Sequence, residues 1–262
     1  MIPNETKRAT SRLKTEQFSW FSHGTWVALI ADVLRWLLTL ALLSALGLAC
    51  AVSPQPTPPN LDPQRITGTG GPEAVSQPTV LGAAGAVEPA EGAVVLTNLD
   101  RDIAPVAERV RADGSFVVTI AGAFTDELRL QVRSGDVRSE PLDIVTIDGE
   151  VYMEAERPLG CFTTDPTWEL DFGVVRGTRR DTIELRNDCP DRVELSTRFR
   201  MGSTAFSLEG MPTGVDPGER VEVTVIATAP TGAIDEETLL IETSVPMVDR
   251  RPITLFVQRS SD

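Results

Sequence analysis

The feature that most constrains this fold is a two-residue alternation of apolar and polar side chains. Residues 128–133 read Leu-Arg-Leu-Gln-Val-Arg, and residues 221–225 read Val-Glu-Val-Thr-Val. Such alternation places the apolar side chains on one face of a half-buried strand. Turn residues recur roughly every 8–12 positions and no stretch has a clear helical period, so the sequence predicts an all-β fold built from antiparallel sandwiches.

The same patterns divide the body of the chain into two β domains. The first is predicted at residues 80–149, where the turn at 112–115 (Ala-Asp-Gly-Ser) precedes an apolar strand. Residues 150–158 are charged and are predicted to form a linker. The second domain is predicted at residues 159–258, followed by a short tail at 259–262.

Four segments of the second domain occur in a recognisable order. They are LDFGVVRG at 170–177, DTIELRN at 181–187, FSLEG at 206–210 and VDPGERVEVTV at 215–225. This order resembles the choice-of-anchor D or hydin-like (abnormal-spindle-type) immunoglobulin-like domain. The resemblance implies an immunoglobulin-like β-sandwich with a role in protein interaction, without identifying a partner.

The first domain resembles the bacterial immunoglobulin-like modules that are repeated in surface proteins. The resemblance rests on GAVEPAEGAVVLTN at 85–98, ADGSFVVTI at 112–120 and DELRLQVRSGDVRSEPL at 126–142. It implies a second sandwich in tandem with the other. Asp113 and Asp136 lie in turns and could be calcium ligands, but turn aspartates more often cap backbone groups, so no metal site is predicted.

An export signal is predicted at residues 37–50, which read LLTLALLSALGLAC after the basic Arg35. The run is short for a membrane span, which needs about 20 apolar residues. Its last five residues resemble the lipobox of bacterial lipoproteins, and this resemblance implies that Cys50 is lipidated and begins the mature protein. An ordinary signal peptide and an uncleaved signal anchor are the alternatives.

The residues around this signal are predicted to lie outside both β domains. Residues 1–49 are leader and signal, and a start at Val33 would give a signal of 18 residues up to Cys50. After the cysteine, SPQPTPPN at 53–60 and GTGGP at 68–72 are rich in proline and glycine. Residues 50–79 are therefore predicted to be a disordered tether.

Charge and composition exclude several classes of function. After Cys50 the chain has 19 arginines, no lysine and 35 acidic residues, and the only histidine of the chain, His23, precedes the signal. So acidic a body repels nucleic acid. Without histidine or lysine it lacks the residues of histidine-based triads, histidine zinc sites and Schiff-base chemistry. We therefore predict no enzyme activity and no cofactor.

Cys161 and Cys189 are the two cysteines of the body. In an exported protein an even number of cysteines predicts a disulfide. Partners in an antiparallel pair have a constant sum of residue numbers, and the midpoint of these two lies near the turn at 176–178. The two cysteines are therefore expected to meet at the open end of a hairpin, the alternative being two free thiols.

Trp168 is the one aromatic residue that stands out as a ligand-binding candidate. It lies between Thr167 and Glu169, just before the first predicted strand of the second domain, whereas most other aromatic residues of the body lie in apolar strand patterns. Exposed aromatic rings are typical of carbohydrate-binding surfaces. A place in the core is the alternative for Trp168.

These observations together predict a non-catalytic protein of the cell envelope. A lipid on Cys50 would anchor it to a membrane, facing the periplasm or the exterior, and its two immunoglobulin-like modules would contact another envelope or surface protein. The first alternative is an extracellular or periplasmic carbohydrate-binding or adhesin-like module. The second is a signal-anchored membrane protein without lipidation.

Overall fold

The structure is a computed structural model, and it describes residues 57–69, 77–147, 151–243 and 249–260. The described residues belong to one compact unit that contains two β-sandwiches. The predicted export signal and Cys50 lie outside the described residues. The all-β prediction is confirmed, because strands make up nearly all of the regular structure, with one 3-10 turn at Pro63–Arg65.

The first sandwich contains eleven short strands in chain order. They are β1 (Asn60–Leu61), β2 (Ile66–Thr69), β3 (Thr79–Gly82), β4 (Val87–Glu88), β5 (Ala93–Asn98), β6 (Val106–Arg109), β7 (Phe116–Thr119), β8 (Leu128–Ser134), β9 (Val137–Arg138), β10 (Leu142–Ile147) and β11 (Val151–Glu154).

Two main sheets of the first sandwich enclose its core. One has the order β11-β10-β8-β5-β6, with β9 paired to β8, and the other has the order β2-β3-β7. Strands β1 and β4 form a separate two-stranded pair. The alternation in β8 places Leu128, Leu130 and Val132 in the core, as the sequence predicted.

The beginning and end of this sandwich differ from the predicted boundaries. Residues 57–69 and 77–79 are the described part of the predicted tether. The first range contains β1 and β2, with Leu61 and Ile66 buried in the core, and the second ends on Thr79, the first residue of β3. Residues 151–154 of the predicted linker form β11, which pairs with β10. The prediction failed because this segment is rich in proline and glycine, which is typical of a disordered tether. Its two buried apolar residues are too few to produce a strand pattern in the sequence.

The second sandwich contains nine strands. They are β12 (Phe162–Asp165), β13 (Glu169–Val175), β14 (Thr178–Asn187), β15 (Val193–Phe199), β16 (Phe206–Glu209), β17 (Gly214–Val215), β18 (Arg220–Thr228), β19 (Ile234–Thr243) and β20 (Asp249–Arg259).

These strands form a four-stranded sheet, β12-β14-β18-β16, and a five-stranded sheet, β13-β20-β19-β15-β17. In the larger sheet β13, at one edge, runs parallel to its neighbour β20, which is the last strand of the chain. The other neighbouring pairs of this sheet are antiparallel. Val223 and Val225 of β18 face the core, where Phe172 and Phe206 lie with ring centroids 6.1 Å apart. The chain is therefore built from two immunoglobulin-like sandwiches, each with its own apolar core.

Candidate functional site

The two sandwiches pack against each other through their larger sheets. In β8 the residues that alternate with the core positions are also covered: Arg129 is 4% exposed and Gln131 is 3% exposed. In β19 and β20, Leu240 and Phe256 are buried although neither belongs to the core of the second sandwich. The strands at the centre are therefore buried on both faces, and the expectation of a half-buried β8 is wrong for its polar face.

Arginines from the first sandwich make most of the contacts along β8 and β9. The Arg129 guanidinium donates a hydrogen bond to the Thr254 hydroxyl at 3.3 Å, and Arg133 forms an ion pair with Glu236. Arg138 donates to the Glu169 carboxylate at 2.9 Å and lies 4.0 Å from the centroid of the Phe256 ring. A guanidinium over an aromatic face is attracted by the ring quadrupole. These bonds join β8 and β9 to β13, β19 and β20.

One arginine of the second sandwich, Arg200, makes hydrogen bonds to the first sandwich. Arg200, which follows β15, is 4% exposed and donates to the carbonyl oxygens of Ile103 at 2.7 Å, Arg101 at 3.1 Å and Asn98 at 3.4 Å. Burial lowers the pKa of the Arg200 guanidinium, and nearby Glu237 opposes this. One side chain thereby holds the segment between β5 and β6 against the second sandwich.

A second group of ion pairs lies where the chain crosses between the sandwiches. Arg129 binds both oxygens of Asp143, at 2.7 and 2.9 Å, and Arg157 bridges Asp143 and Glu127 at 2.6 Å each. Burial raises the pKa of Asp143, but Arg129 and Arg157 outweigh it and the pKa lies below its usual value. Burial raises the pKa of Glu127 above its usual value in spite of Arg157. Arg250 also reaches Glu127, at 3.4 Å.

A cleft of about 330 Å³ opens beside this group, between the two sandwiches. Its walls come from β10, the segment after β11, β12, the β12–β13 connection and β20. The residues that line it are Arg129, Glu140, Pro141, Asp143, Arg157, Gly160, Phe162, Thr163, Thr164, Thr167, Trp168, Arg251 and Pro252.

Trp168, the predicted ligand-binding candidate, lines this cleft and is partly buried. It lies where the chain leaves β12 and enters β13, and its carbonyl oxygen accepts a hydrogen bond from the Thr254 N–H at 2.8 Å. Thr254 also binds Arg129, so the same residue fixes the tryptophan backbone and the contact between the sandwiches. Trp168 does not belong to the core of the second sandwich.

The arginines that line the cleft are already occupied by bonds within the protein. Arg251 donates to the carbonyl oxygens of Phe162 and Leu159 and to the Asp249 carboxylate. Arg129 and Arg157 are held by the acidic residues described above. Among the charged side chains that line the cleft, the exposed Glu140 has no ion pair with a described residue. The free charge of the cleft is therefore negative.

Three threonine hydroxyls add polar groups to the same walls. Thr163 and Thr167 are exposed, whereas Thr164 is 6% exposed. The buried Thr164 hydroxyl makes no hydrogen bond within the described part of the chain. Because the Thr164 hydroxyl oxygen has almost no accessible surface, a ligand in the cleft can reach the hydroxyls of Thr163 and Thr167 but not that of Thr164. The cleft thus combines one large aromatic side chain, hydroxyl groups and one free carboxylate.

The predicted disulfide between Cys161 and Cys189 is confirmed, with the two Cα atoms 4.9 Å apart. The expected register is off by one, because β12 and β14 pair with Phe162 opposite Asn187. The expectation of a hairpin is wrong, because β13 lies between these two strands in the chain and belongs to the other sheet. The bond therefore ties the start of the second sandwich to the end of β14.

Of the two turn aspartates considered as calcium ligands, Asp113 acts as a backbone cap, as the sequence indicated. Asp113 accepts a hydrogen bond from the Ser115 N–H at 3.0 Å, and Gly114 between them has a φ of +81°. Hydrogen bonds from Ser115 lower the pKa of the Asp113 carboxyl. In the described ranges no group of three or more His, Cys, Asp or Glu side chains could hold a metal ion. Nor does any helix within those ranges have the length and apolar character to cross a membrane.

Comparison with known proteins gives no family. No protein-family model and no curated protein matches the chain. One similar solved structure is SSP-19, an MSP-domain protein like family member in Caenorhabditis elegans, with 17% identity, a TM-score of 0.30 and coverage of 38% of this chain and 99% of that one.

Two bacterial structures are similar at the same level. A protein of unknown function from Porphyromonas gingivalis W83 is 16% identical, with a TM-score of 0.33 and coverage of 77% of this chain and 99% of that one. The secreted serine protease VesC from Vibrio cholerae is 16% identical, with a TM-score of 0.33, and the match covers 53% of this chain and 33% of the protease. Likenesses this distant carry no functional argument, and the assignment of the fold rests on the strand pairing described above.

Sequence reasoning found Trp168 but missed its neighbours. The alternation around Arg129 predicts a solvent-facing side of a strand, because alternation alone does not show whether a second domain covers the polar face. Arg157 lies in the segment that is predicted to be a linker. One sequence feature could have indicated these contacts: every basic residue after Cys50 is an arginine. Arginine suits buried ion pairs and hydrogen bonds to carbonyl oxygens better than lysine does.

Proposed function

We propose that this chain is an exported, non-catalytic binding protein of the bacterial cell envelope, held to a membrane by a lipid on Cys50. Its two sandwiches act as one rigid block that presents a composite surface to another envelope protein. The observation that carries the proposal is the buried arginine interface between the sandwiches.

Interfaces between domains that move independently are usually modest in size and polar, and they stay hydrated. Here the guanidinium of Arg129 is almost fully buried and bonded on both sides of the interface, to Asp143 and to Thr254. Separating the sandwiches would break the contact with Thr254, together with the ion pairs of Arg133 with Glu236 and of Arg138 with Glu169, which join the first sandwich to the second. A rigid pair of sandwiches is suited to recognition, because little conformational entropy is lost when it binds.

The disulfide supports export. Disulfides persist in oxidising compartments such as the periplasm and the extracellular space, and they are rare in the cytosol. The Cys161–Cys189 bond is therefore expected of a protein that has crossed a membrane.

Two exposed apolar side chains provide positions at which to test for a partner. Val174 of β13 is 62% exposed and Ile234 of β19 is 57% exposed, and they lie on opposite sides of Gln258 in β20, the strand between them. Exposed apolar side chains on one sheet are suitable positions for detecting a contact site. Val117, 39% exposed on the first sandwich, is a matched control position.

The test is site-specific photo-crosslinking in cells that make the full-length protein. A photoreactive amino acid at Val174 should yield a discrete adduct with one envelope protein, and Ile234→Glu in the same chain should abolish it. The same amino acid at Val117 should yield no such adduct. If none of these positions, nor a scan of other exposed positions on both sandwiches, gives an adduct, the proposed protein-binding role is wrong.

A further inference from the structure

We propose that the cleft between the sandwiches binds a neutral saccharide, with Trp168 as the stacking platform. The site is separate from the protein-binding role proposed above and does not depend on it. Its ligand class follows from which groups in the cleft are free to bond and which are already occupied.

Anionic ligands are excluded first. A phosphate, sulfate or uronate site needs a free cation, and the three lining arginines are committed to carboxylates, carbonyl oxygens and a hydroxyl of the protein itself. The free carboxylate of Glu140 and the acidic body of the chain would repel an anion. The ligand is therefore neutral or carries a localised positive charge.

Lipids and other largely apolar ligands are excluded next. Binding them requires a pocket walled mostly by aliphatic and aromatic side chains. This cleft has Thr163, Thr164, Thr167 and Glu140 among its lining residues. Its ligand must therefore offer hydroxyl groups as well as an apolar surface.

A pyranose ring meets both conditions. Its C–H face can lie against the indole of Trp168, while its hydroxyls can donate to Glu140 and exchange hydrogen bonds with the threonines. The Trp168 indole N–H makes no hydrogen bond to a described residue, so it is available to a sugar oxygen. The size of the cleft, about 330 Å³, suits a short stretch of a glycan.

Isothermal titration calorimetry provides the test, with the full-length protein in a detergent that has no sugar headgroup. The probes are maltohexaose, cellohexaose, mannohexaose and xylohexaose, each added to about 10 mM so that millimolar Kd values are covered. Hexagalacturonate is the anionic comparison, and a proline-rich decapeptide represents a peptide ligand. At least one neutral hexasaccharide should bind, and hexagalacturonate should not.

Variants locate the binding in the cleft. Trp168→Ala should weaken the saccharide about tenfold or more, because the stacking surface is lost. Thr163→Val and Thr167→Val keep the side-chain shape and should each weaken it about two- to tenfold, as expected for one hydrogen bond. Phe124→Ala removes a partly buried aromatic side chain that does not line the cleft, and it should leave affinity unchanged.

Tryptophan fluorescence gives an independent readout. The other three tryptophans, Trp20, Trp26 and Trp36, precede Cys50, so Trp168 is the only one in the two sandwiches. Saccharide should protect it from quenching by acrylamide, and this protection should vanish in Trp168→Phe. Thermal unfolding of each variant checks that it is folded.

Three results would overturn the proposal. The first is no heat from any neutral hexasaccharide with folded wild-type protein. The second is binding that Trp168→Ala leaves unchanged. The third is saturable binding of the decapeptide that Trp168→Ala removes, since this would assign the cleft to peptides.

Discussion

Replacing Arg200 with methionine tests whether arginine contacts join the two sandwiches, and we expect it to lower the free energy of unfolding by about 3–4 kcal/mol. Methionine keeps most of the apolar stem and removes the guanidinium. The substitution lies in the second sandwich, but the carbonyl oxygens it deprives of a partner belong to the first.

The magnitude follows from the geometry. Two of the three bonds from Arg200 are short, 2.7 Å to Ile103 and 3.1 Å to Arg101. A hydrogen bond from a charged group contributes about 1.5–3 kcal/mol, so these two amount to about 3–6 kcal/mol, and the bond at 3.4 Å to Asn98 adds little. Removing a buried charge also removes its desolvation cost, which is visible in the lowered pKa of Arg200, and this places the expectation at the lower end.

The assay is guanidinium chloride unfolding followed by far-UV circular dichroism and by near-UV circular dichroism. Wild-type protein should unfold in one transition, and Arg200→Met should unfold in two, because each sandwich retains its own core. Arg180→Met is the matched control, since Arg180 pairs with Glu209 on the exposed outer sheet and should cost at most about 1 kcal/mol. A single transition shifted no more in Arg200→Met than in Arg180→Met would refute the reasoning.

Three further perturbations probe other parts of the structure. Replacing Cys161 and Cys189 together with alanine should cost about 3–4 kcal/mol, the chain-entropy value for a 28-residue separation, measured by chemical unfolding. Ile66→Ala should cost about 2–4 kcal/mol, because Ile66 is a core residue, and thermal unfolding would show it. Stability should rise slightly as pH falls from neutral toward about 4.5, because burial raises the folded-state pKa of Glu127 and of Glu169. It should fall below about 4, because the folded-state pKa of Asp143 is lowered and the unfolded chain therefore takes up a proton at this residue before the folded protein does.

Each of these expectations has a matched comparison. Unfolding of the cysteine variant should equal that of reduced wild-type protein, and a difference larger than about 1 kcal/mol would show that packing is responsible. Gln64→Ala, at an exposed position two residues before Ile66, should be neutral. An Ile66→Ala variant that is equally neutral would show that residues 57–69 are a tether and not part of the sandwich. Glu127→Gln should reduce the rise toward pH 4.5, and Glu127→Gln with Glu169→Gln should remove it, while both leave the loss at lower pH; a profile unchanged by Glu127→Gln would contradict the contribution of Glu127.

The strands that carry the fold were predictable because their signals are local. The alternation in β8 and in β18 specifies which face of each strand is buried, and the Asp-Pro-Gly-Glu sequence specifies the turn before β18. The structure contains all three features at the predicted positions. Strands β1, β2 and β11 were not predicted. They are short, and their few apolar residues lie in segments whose composition is proline- and glycine-rich or charged, so the alternation that marks the longer strands is missing.

The candidate site was predictable only in part for the same reason. Trp168 stood out because its sequence context is polar, and it does lie outside the core. The cleft itself is formed by the contact between the two sandwiches, and no local pattern specifies how two sheets dock. Arg129 and Arg157 were assigned to a solvated strand face and a linker, although both are held in buried ion pairs.

The central functional proposal is that this is an exported, lipid-anchored binding protein. The most direct test is the intact mass of the native protein, extracted from membranes and alkylated without reductant. The proposal predicts a chain from Cys50 to Asp262 that carries a diacylglyceryl group and one further acyl chain, with Cys161 and Cys189 unmodified by the alkylating reagent. An unlipidated chain that retains the leader and whose cysteines are all alkylated would contradict it.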